Sequence, residues 1–299
     1  HMDAVLTENP ALFMEYASRD AVIALLYTSA IYGVNKRQAV TILSAGTKLL
    51  KESMSSYLGV DNTTGYDRIA RGLEVVKHGK IRNADRPGFI ESRSLEPINC
   101  DAVSLQKDAS EAYHGGYNSC SDVGYYSNET YDYDLQNAYP SAMSLVPDVN
   151  WENCILQRFE ANHILTEQDF LDSKGTPNPI ALMFGNVHFE FPENCQYPCL
   201  PNNIEGNLIF TRTLDSDKGI FACGPELYLA VKLGAKVTVK SGYTVRTTLL
   251  NNGELSYSMR HAVKQLIVDR RNAKKICGKG SLEEQILKLI VCGVYGKIA

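Results

Sequence analysis

The feature that most constrains this chain is a short run of alternating aromatic and acidic side chains that leads to a proline. Residues 131–135 read YDYDL, and Tyr139-Pro140 follows shortly after. Alternation with a period of two is typical of a strand, and the proline favours a turn. We therefore expect a strand over 131–135 and a turn at Tyr139-Pro140. Asp134 would lie at the strand end, where a carboxylate is suited to bind a divalent metal ion.

Length and charge limit the classes of protein to consider. The chain has 299 residues, enough for about two domains, and its 44% hydrophobic and 21% charged residues exclude a disordered or fibrous protein. With 30 Lys+Arg against 34 Asp+Glu, any nucleic-acid surface must be a local basic patch. No secretory signal and no apolar run of about 18 residues is present. We expect a soluble, cytoplasmic protein that is not secreted and has no membrane partner.

The eight cysteines do not follow a zinc-binding pattern. Cys195 and Cys199 are spaced like half of a metal clip but lack a second pair. We expect reduced thiols.

Periodicity, glycines and prolines predict the local structure. Helices are expected over 10–33, 35–59, 66–78, 224–233, 256–277 and 281–295, and strands over 187–191, 208–210 and 236–239. Residues 80–110 are polar and contain Pro87, Gly88 and Pro97, which predicts an irregular connector.

Residues 134–141, DLQNAYPS, resemble the first palm motif of family B DNA polymerases, D-x-x-S-L-Y-P-S, and most closely the protein-primed branch of phages, linear plasmids and related mobile elements. Asn137 and Ala138 replace Ser and Leu. The resemblance implies that Asp134 and the carbonyl of Leu135 bind Mg²⁺ or Mn²⁺. It also implies that Tyr139 lies beneath the sugar of the dNTP and rejects a 2′-hydroxyl by steric clash. Residues 134–141 are called the palm motif below.

Residues 288–297, KLIVCGVYGK, resemble the fingers motif K-x-x-x-N-S-x-Y-G and are called the fingers motif below. Lys288, Cys292 and Tyr295 share one helix face at i, i+4 and i+7. The resemblance implies that Lys288 and Tyr295 bind the dNTP and that Gly296 contacts DNA. Cys292 and Gly293 replace Asn and Ser, which weakens any inference about base checking.

A basic region precedes the fingers motif. Arg270 and Lys274 form an i, i+4 pair, and the family has basic residues here that reach the triphosphate. Residues 258–299 hold nine Lys+Arg against three Asp+Glu. This excess is the local basic patch that a chain of negative net charge would need in order to bind nucleic acid.

Residues 113–118, YHGGYN, are similar to the Y-x-G-G/A element that contacts the template in this family, and are called the Tyr-Gly-Gly motif below. The resemblance implies DNA contacts by Tyr113, Gly115, Gly116 and Asn118. Glycines let the backbone approach phosphates closely.

Tyr16 and Asp20 resemble the Y-x-x-x-D element that closes the proofreading exonuclease. Only about fifteen residues precede it, too few for the other two exonuclease motifs. We expect no proofreading by this chain alone.

The resemblance implies an α+β fold with N-terminal helices, a partial antiparallel palm sheet, an α/β insertion and helical fingers. We expect four regions: 3–80, the helical end of the exonuclease domain and connector helices; 81–150, a connector and the first part of the palm; 151–250, a palm insertion like the region that contacts the priming protein; and 251–299, the fingers helices.

The second catalytic aspartate of the family follows the fingers in a D-T-D-like hairpin, and this sequence stops at Ala299. Residues 215–217, DSD, imitate that hairpin but precede the fingers motif, so we interpret them as a loop. We expect a catalytically incomplete segment, inactive alone, with the missing C-terminal half as a possible partner.

The leading hypothesis is template-directed DNA synthesis by a DNA-directed DNA polymerase, a nucleotidyltransferase with a two-metal mechanism. Its partners would be dNTPs, a DNA template, and a primer or priming protein. The alternative is a non-catalytic nucleic-acid-binding protein on a degenerate polymerase scaffold, which Cys292 and Gly293 favour. A small α/β metabolic enzyme would need a phosphate-binding loop or a nucleophile constellation, and the sequence has neither.

Overall fold

The computed structural model describes residues 7–32, 42–60, 63–82, 88–116, 123–135, 137–204, 206–214 and 217–298, and they form an α+β fold with antiparallel sheets, as predicted. The helices are α1 Pro10–Tyr32, α2 Ile42–Leu58, α3 Thr63–Arg71, α4 Cys100–Ala112, α5 Ala138–Met143, α6 Gly224–Lys232, α7 Ser258–Cys277 and α8 Leu282–Ile298. The strands are β1 Leu73–Arg82, β2 Phe89–Pro97, β3 Ile155–Arg158, β4 His163–Ile164, β5 Met183–Glu190, β6 Asn202–Ile204, β7 Asn207–Ile209, β8 Ile220–Cys223 and β9 Lys236–Val245. No helix in these ranges has the length and apolar character that crossing a membrane requires.

Five of the predicted helices are confirmed as α1, α2, α6, α7 and α8, although residues 33–41 lie outside the described chain. Local capping explains two of their ends. The side chain of Asn9 accepts a hydrogen bond from the N–H of Leu12 at 3.1 Å, which satisfies one free donor at the start of α1. Gly234 follows α6 with φ +83°, a backbone conformation that favours glycine.

The prediction for residues 66–110 was largely wrong. The helix ends at Arg71, residues 73–82 and 89–97 pair as the antiparallel strands β1 and β2, and α4 follows from Cys100. Gly72 makes this switch possible, because its φ is +65° and a Cβ there would lie 2.4 Å from the ring of Trp151. Charged residues pair across the two strands of the hairpin, such as Lys77 with Glu91 at 3.2 Å. Because charged residues occupy these positions, the sequence shows no clear hydrophobic alternation.

The predicted strand over 131–135 is also wrong. These residues have no regular secondary structure, and they pair with no strand of the described chain. Tyr133 and Leu135 are 88% and 81% exposed, and Asp132 and Asp134 on the alternate positions are exposed as well, so neither face of the run packs on a core. A strand needs a neighbour for its backbone N–H and C=O groups, and alternation alone does not supply one. Tyr139-Pro140 lies in the short helix α5 rather than in an isolated turn.

The main sheet has the strand order β3-β9-β5-β8, and β4 also pairs with β9. All five strands are antiparallel and lie within the region predicted as an α/β insertion. One face is buried: Met183, Val187, Val237 and Val239 pack with Leu227 of α6. The helix α4 packs on β8 and β5, and Asp108 of α4 accepts a 2.8 Å hydrogen bond from Tyr243 of β9.

A second core is made by helices from opposite ends of the chain. Leu50 and Met54 of α2 pack with Leu266 of α7 and Ile290 of α8. Gly46 allows the close approach of α2 and α8, because a Cβ on Gly46 would lie 2.9 Å from Cγ2 of Ile290. The predicted 3–80 and 251–299 regions therefore share this core, and their division into separate domains stays a prediction.

Candidate functional site

The palm motif begins in an exposed segment without regular secondary structure and continues into α5. Asn137 has φ 55° and ψ 39°, and this left-handed residue directly precedes the helix. Its carbonyl accepts a hydrogen bond from the N–H of Ser141 at 2.9 Å. Pro140 is buried in the first helical turn, where a missing N–H costs no intrahelical hydrogen bond. Asp134 and Tyr139 are both exposed beside this turn.

Two arginines of α7 hold α5 at both ends. Nη1 of Arg270 donates a hydrogen bond to Oδ1 of Asn137 at 3.2 Å, at the start of α5. Nε of Arg260 donates to the carbonyl of Ser144 at 2.7 Å, directly after the end of α5. Between them, Met143 packs against the helical core. The structure therefore brings the palm motif and the basic region into direct contact.

Arg270 also joins α7 to α8. Its Nε and Nη2 both contact Oε1 of Glu284 on α8, at 3.0 and 2.9 Å. The side chain of Glu284 is only 8% exposed, and that of Arg270 is 27% exposed. The hydrogen bond from Arg270 lowers the pKa of Glu284, an effect that the N–H of Gly280 and the charge of Lys288 reinforce. Sequence reasoning missed Glu284, whose only signal was the Ser281-x-x-Glu284 spacing of a helix start.

The other predicted dNTP-binding residues have mixed outcomes. Lys274 on α7 and Lys288 on α8 are exposed. Within the described chain, no ion pair joins Asp134 to Arg270, Lys274 or Lys288. The helix α8 extends through the fingers motif, but the side chains beyond residue 291 lie outside the description. The roles of Tyr295 and Gly296, and the effect of Cys292 and Gly293, stay predictions.

The N-terminus of α7 is fixed by the carboxylate of Asp148, which sequence reasoning did not single out. Asp148 accepts hydrogen bonds from the hydroxyl of Ser256 at 2.5 Å and from the N–H of Ser258 at 2.9 Å. Ser256 and Ser258 are almost completely buried. Because Ser258 is the first residue of α7, the carboxylate satisfies a free donor there and complements the helix dipole. This fixes the start of α7 close to the end of α5.

The Tyr-Gly-Gly motif follows α4 and contacts the first turn of α6. Tyr113 is 57% exposed, and a Cβ added at Gly115 or Gly116 would meet no atom within 4 Å. His114 contacts the carboxylate of Glu226, in the first turn of α6, through Nε2, and its Nδ1 lies 2.7 Å from the carbonyl of Gly115. Both of these partners are acceptors, so a protonated ring with two N–H donors satisfies them together. Asn118 lies outside the described residues.

The pKa of His114 reflects these contacts. Burial of the ring opposes protonation, but the Gly115 carbonyl and the Glu226 carboxylate outweigh burial, and the pKa is raised. The same carboxylate affects two thiols nearby. Burial, followed by the charge of Glu226, raises the pKa of Cys199 and of Cys223 to about 12. These thiols are therefore protonated at neutral pH and unsuited to nucleophilic chemistry.

The remaining predicted sites can be placed only partly. Tyr16 and Asp20 are exposed on α1, one helical turn apart. Asp215 and Ser216 lie outside the described residues, while Asp217 lies in a turn. Its carbonyl accepts a hydrogen bond from Nζ of Lys240.

The donor set at the palm motif suits a hard cation in type but is incomplete in number. Asp134 and the carbonyl of Leu135 offer oxygen ligands, which Mg²⁺ prefers. In the part of the chain that the structure describes, no three His, Cys, Asp or Glu residues gather as a metal site. Mg²⁺ is often held by one or two carboxylates together with substrate phosphates. These residues therefore fit a partial metal site that needs further ligands.

Comparisons with known proteins identify the family of this chain. The family model described as DNA polymerase type B, organellar and viral, matches residues 39–299. The chain is similar to the primer-independent DNA polymerase PolB of Escherichia coli, with 30% identity over 317 aligned positions that cover 100% of this chain and 32% of the relative. The chain thus spans about a third of the length of that curated relative. No solved structure gives a significant match. The match over most of the chain shows that it belongs to the type B DNA polymerases.

Proposed function

We propose that this chain supplies the first palm motif and the fingers of a polymerase that carries out template-directed DNA synthesis. The observation that carries the proposal is the hydrogen bond from Arg270 to Asn137, because it joins the palm motif to the basic helix that would bind the triphosphate. A metal ligand and a cationic surface are both needed where a nucleotide binds through its phosphates. The family match supports polymerase chemistry in general.

The palm motif would hold the metal and the sugar. The Asp134 carboxylate and the Leu135 carbonyl would bind Mg²⁺ or Mn²⁺, and the bound ion would neutralise charge on the phosphates and help to align attacking and leaving oxygens. Tyr139 would pack beneath the sugar and leave no room for a 2′-hydroxyl. Its exposed position beside Asn137 is compatible with that contact.

The α7 and α8 helices would hold the triphosphate. Arg270, Lys274 and Lys288 would donate hydrogen bonds to phosphate oxygens and compensate their negative charge. Tyr295 would pack against the new base pair. Asp134 can contribute only one carboxylate, so the second catalytic aspartate would have to come from polymerase sequence outside these residues.

The Tyr-Gly-Gly motif would contact the template strand. Tyr113 is exposed and can stack on a base or donate to a phosphate, and Gly115 and Gly116 leave the backbone open to close approach. DNA and dNTPs are thus the proposed partners, together with a primer or a priming protein that provides the attacking hydroxyl. The relative is named primer-independent. Our proposal for this chain therefore also includes DNA synthesis that starts without a primer.

The alternative is a nucleic-acid-binding scaffold without catalysis. The replacement of Asn and Ser by Cys292 and Gly293 in the fingers motif favours it. On that alternative the basic helices would still bind phosphates, but the Asp134 carboxylate would have no catalytic role.

Nucleotide incorporation by the full-length polymerase that contains this chain tests the proposal. Asp134→Asn should lower incorporation by at least about 100-fold, because a neutral amide binds Mg²⁺ poorly. Asp132→Asn is the matched control, since Asp132 is exposed two residues earlier, and its activity should stay within about threefold of wild type. Equal activity of Asp134→Asn and wild type would contradict the proposal and favour the alternative of a non-catalytic nucleic-acid-binding scaffold.

A further inference from the structure

Arg270 has an unusually complete set of contacts for a residue that is proposed to bind a ligand. All three of its side-chain nitrogens are engaged: Nε and Nη2 with Glu284, and Nη1 with Asn137. A guanidinium carries five N–H groups, one on Nε and two on each Nη. The contacts use one N–H on each nitrogen, so one N–H on Nη1 and one on Nη2 remain.

The two partners of Arg270 are themselves fixed. The N–H of Glu284 donates to the hydroxyl of Ser281 at 3.3 Å, and its Oε2 accepts from the N–H of Gly280 at 3.4 Å. Asn137 has its backbone set by the left-handed turn before α5. The contacts with Glu284 and Asn137 therefore fix the plane and direction of the guanidinium, while the Arg270 side chain stays 27% exposed and so accessible to a ligand.

We propose that Glu284 and Asn137 are positioning residues that orient the two remaining N–H groups of Arg270 towards the triphosphate of a bound dNTP. The inference rests on the proposed function and adds two residues that have no assigned role in it. It also explains a departure from the family motif, because the longer side chain of Asn137, unlike serine, carries an amide oxygen that reaches Arg270. Pre-orientation lowers the entropy that the arginine loses when it binds phosphates.

A second interpretation of the same contacts predicts the opposite effect. If Glu284 only competes with the triphosphate for Arg270, removing its negative charge would tighten the binding of an anion. If Glu284 orients Arg270, removing it would weaken binding although the site becomes more positive. The sign of the change therefore separates the two interpretations.

The test is calorimetric titration of the 299-residue chain with inorganic tripolyphosphate in buffer without divalent metal. Glu284→Ala and Asn137→Ser should each weaken binding by about tenfold, since each removes contacts that orient the guanidinium. Glu284→Gln should fall between Glu284→Ala and wild type, because it keeps an acceptor but not the charge. Glu283→Gln, on the preceding position of the same helical turn, is the control and should change binding by less than about twofold.

A double-mutant cycle shows whether Glu284 acts through Arg270. In an Arg270→Met background, Glu284→Ala should have no further effect on tripolyphosphate binding. This outcome distinguishes positioning from a general loss of structure, which would persist in that background. Tighter or unchanged binding by both Glu284→Ala and Asn137→Ser overturns the inference alone. Absence of tripolyphosphate binding by the wild-type chain counts against the proposed nucleotide site itself and overturns both.

Discussion

Asp148 and Ser258 are 110 positions apart, yet Asp148 accepts hydrogen bonds from both the backbone N–H and the hydroxyl of Ser258. Asp148 follows the palm motif by a few residues, and Ser258 begins the basic helix α7. This pair, together with the contacts of Arg260 and Arg270, fixes the position of α7 relative to the palm motif.

The first prediction is that Asp148→Ala lowers the free energy of unfolding by about 3 kcal/mol, because it leaves the buried hydroxyls of Ser256 and Ser258 and the first N–H of α7 without an acceptor. Urea denaturation measures the change. Asp101→Ala is a control, since Asp101 makes an exposed ion pair with Arg158, and it should cost less than about 1 kcal/mol. Equal losses in the two variants would show that Asp148 does not stabilise the start of α7.

The second prediction concerns pH and the Tyr-Gly-Gly motif. The raised pKa of His114 means that its contact with Glu226 stabilises the fold fully below the pKa of the unfolded state and that this contribution is lost as pH rises through the higher folded-state pKa. Amide exchange of residues 113–116 should therefore speed up as pH rises through the folded-state pKa of His114, beyond the intrinsic effect of pH. His114→Gln should remove this extra step. A step of the same size in His114→Gln would assign it to another group.

The third prediction tests the contact between α2 and α8. A side chain at Gly46 meets Cγ2 of Ile290, which is fully buried, so Gly46→Val should lower stability by about 2 kcal/mol through overpacking. Gly124→Val, at a position where an added Cβ meets nothing, should stay within about 0.5 kcal/mol of wild type. Thermal unfolding of both variants measures the change in stability. A Gly46→Val variant as stable as wild type would mean that α2 does not approach α8 closely.

The fourth prediction concerns the basic patch and single-stranded DNA. If Lys274 and Lys275 each contact one phosphate, then converting both to glutamine should reduce the slope of log affinity against log salt by about 1.4. Lys77→Gln serves as the control, because Lys77 is paired with Glu91 on the β1–β2 hairpin and lies outside the patch. An unchanged slope in the double variant would remove these two lysines from the DNA interface.

The sequence predicted the elements whose signals are local. The helix α6 ends before Gly234, and α7 and α8 follow apolar periodicity separated by glycines. The hairpin β1–β2 was missed because its stability comes from pairing across strands rather than from a hydrophobic pattern. The strand expected at residues 131–135 failed for the converse reason, since its alternation has no partner strand in the described chain.

The site was predicted as a set of motifs but not as a set of contacts. Asp134, Tyr139 and Arg270 could be named because they stand in or beside short motifs that resemble those of the family, and their roles stay predictions. The hydrogen bond between Arg270 and Asn137 joins residues 133 positions apart, and the buried Glu284 looks in the sequence like any acidic residue at a helix start. Such contacts depend on how α5, α7 and α8 pack, which no local pattern encodes.

The most direct test of the central claim is hydrogen–deuterium exchange of this chain with and without dATP and Mg²⁺. If the palm motif and the basic helices form one nucleotide site, saturating dATP should slow exchange together in residues 134–144 and in the facing parts of α7 and α8, and leave the β1–β2 hairpin unchanged. Protection of only one of these two regions, with binding of dATP established in the same sample, would contradict the claim.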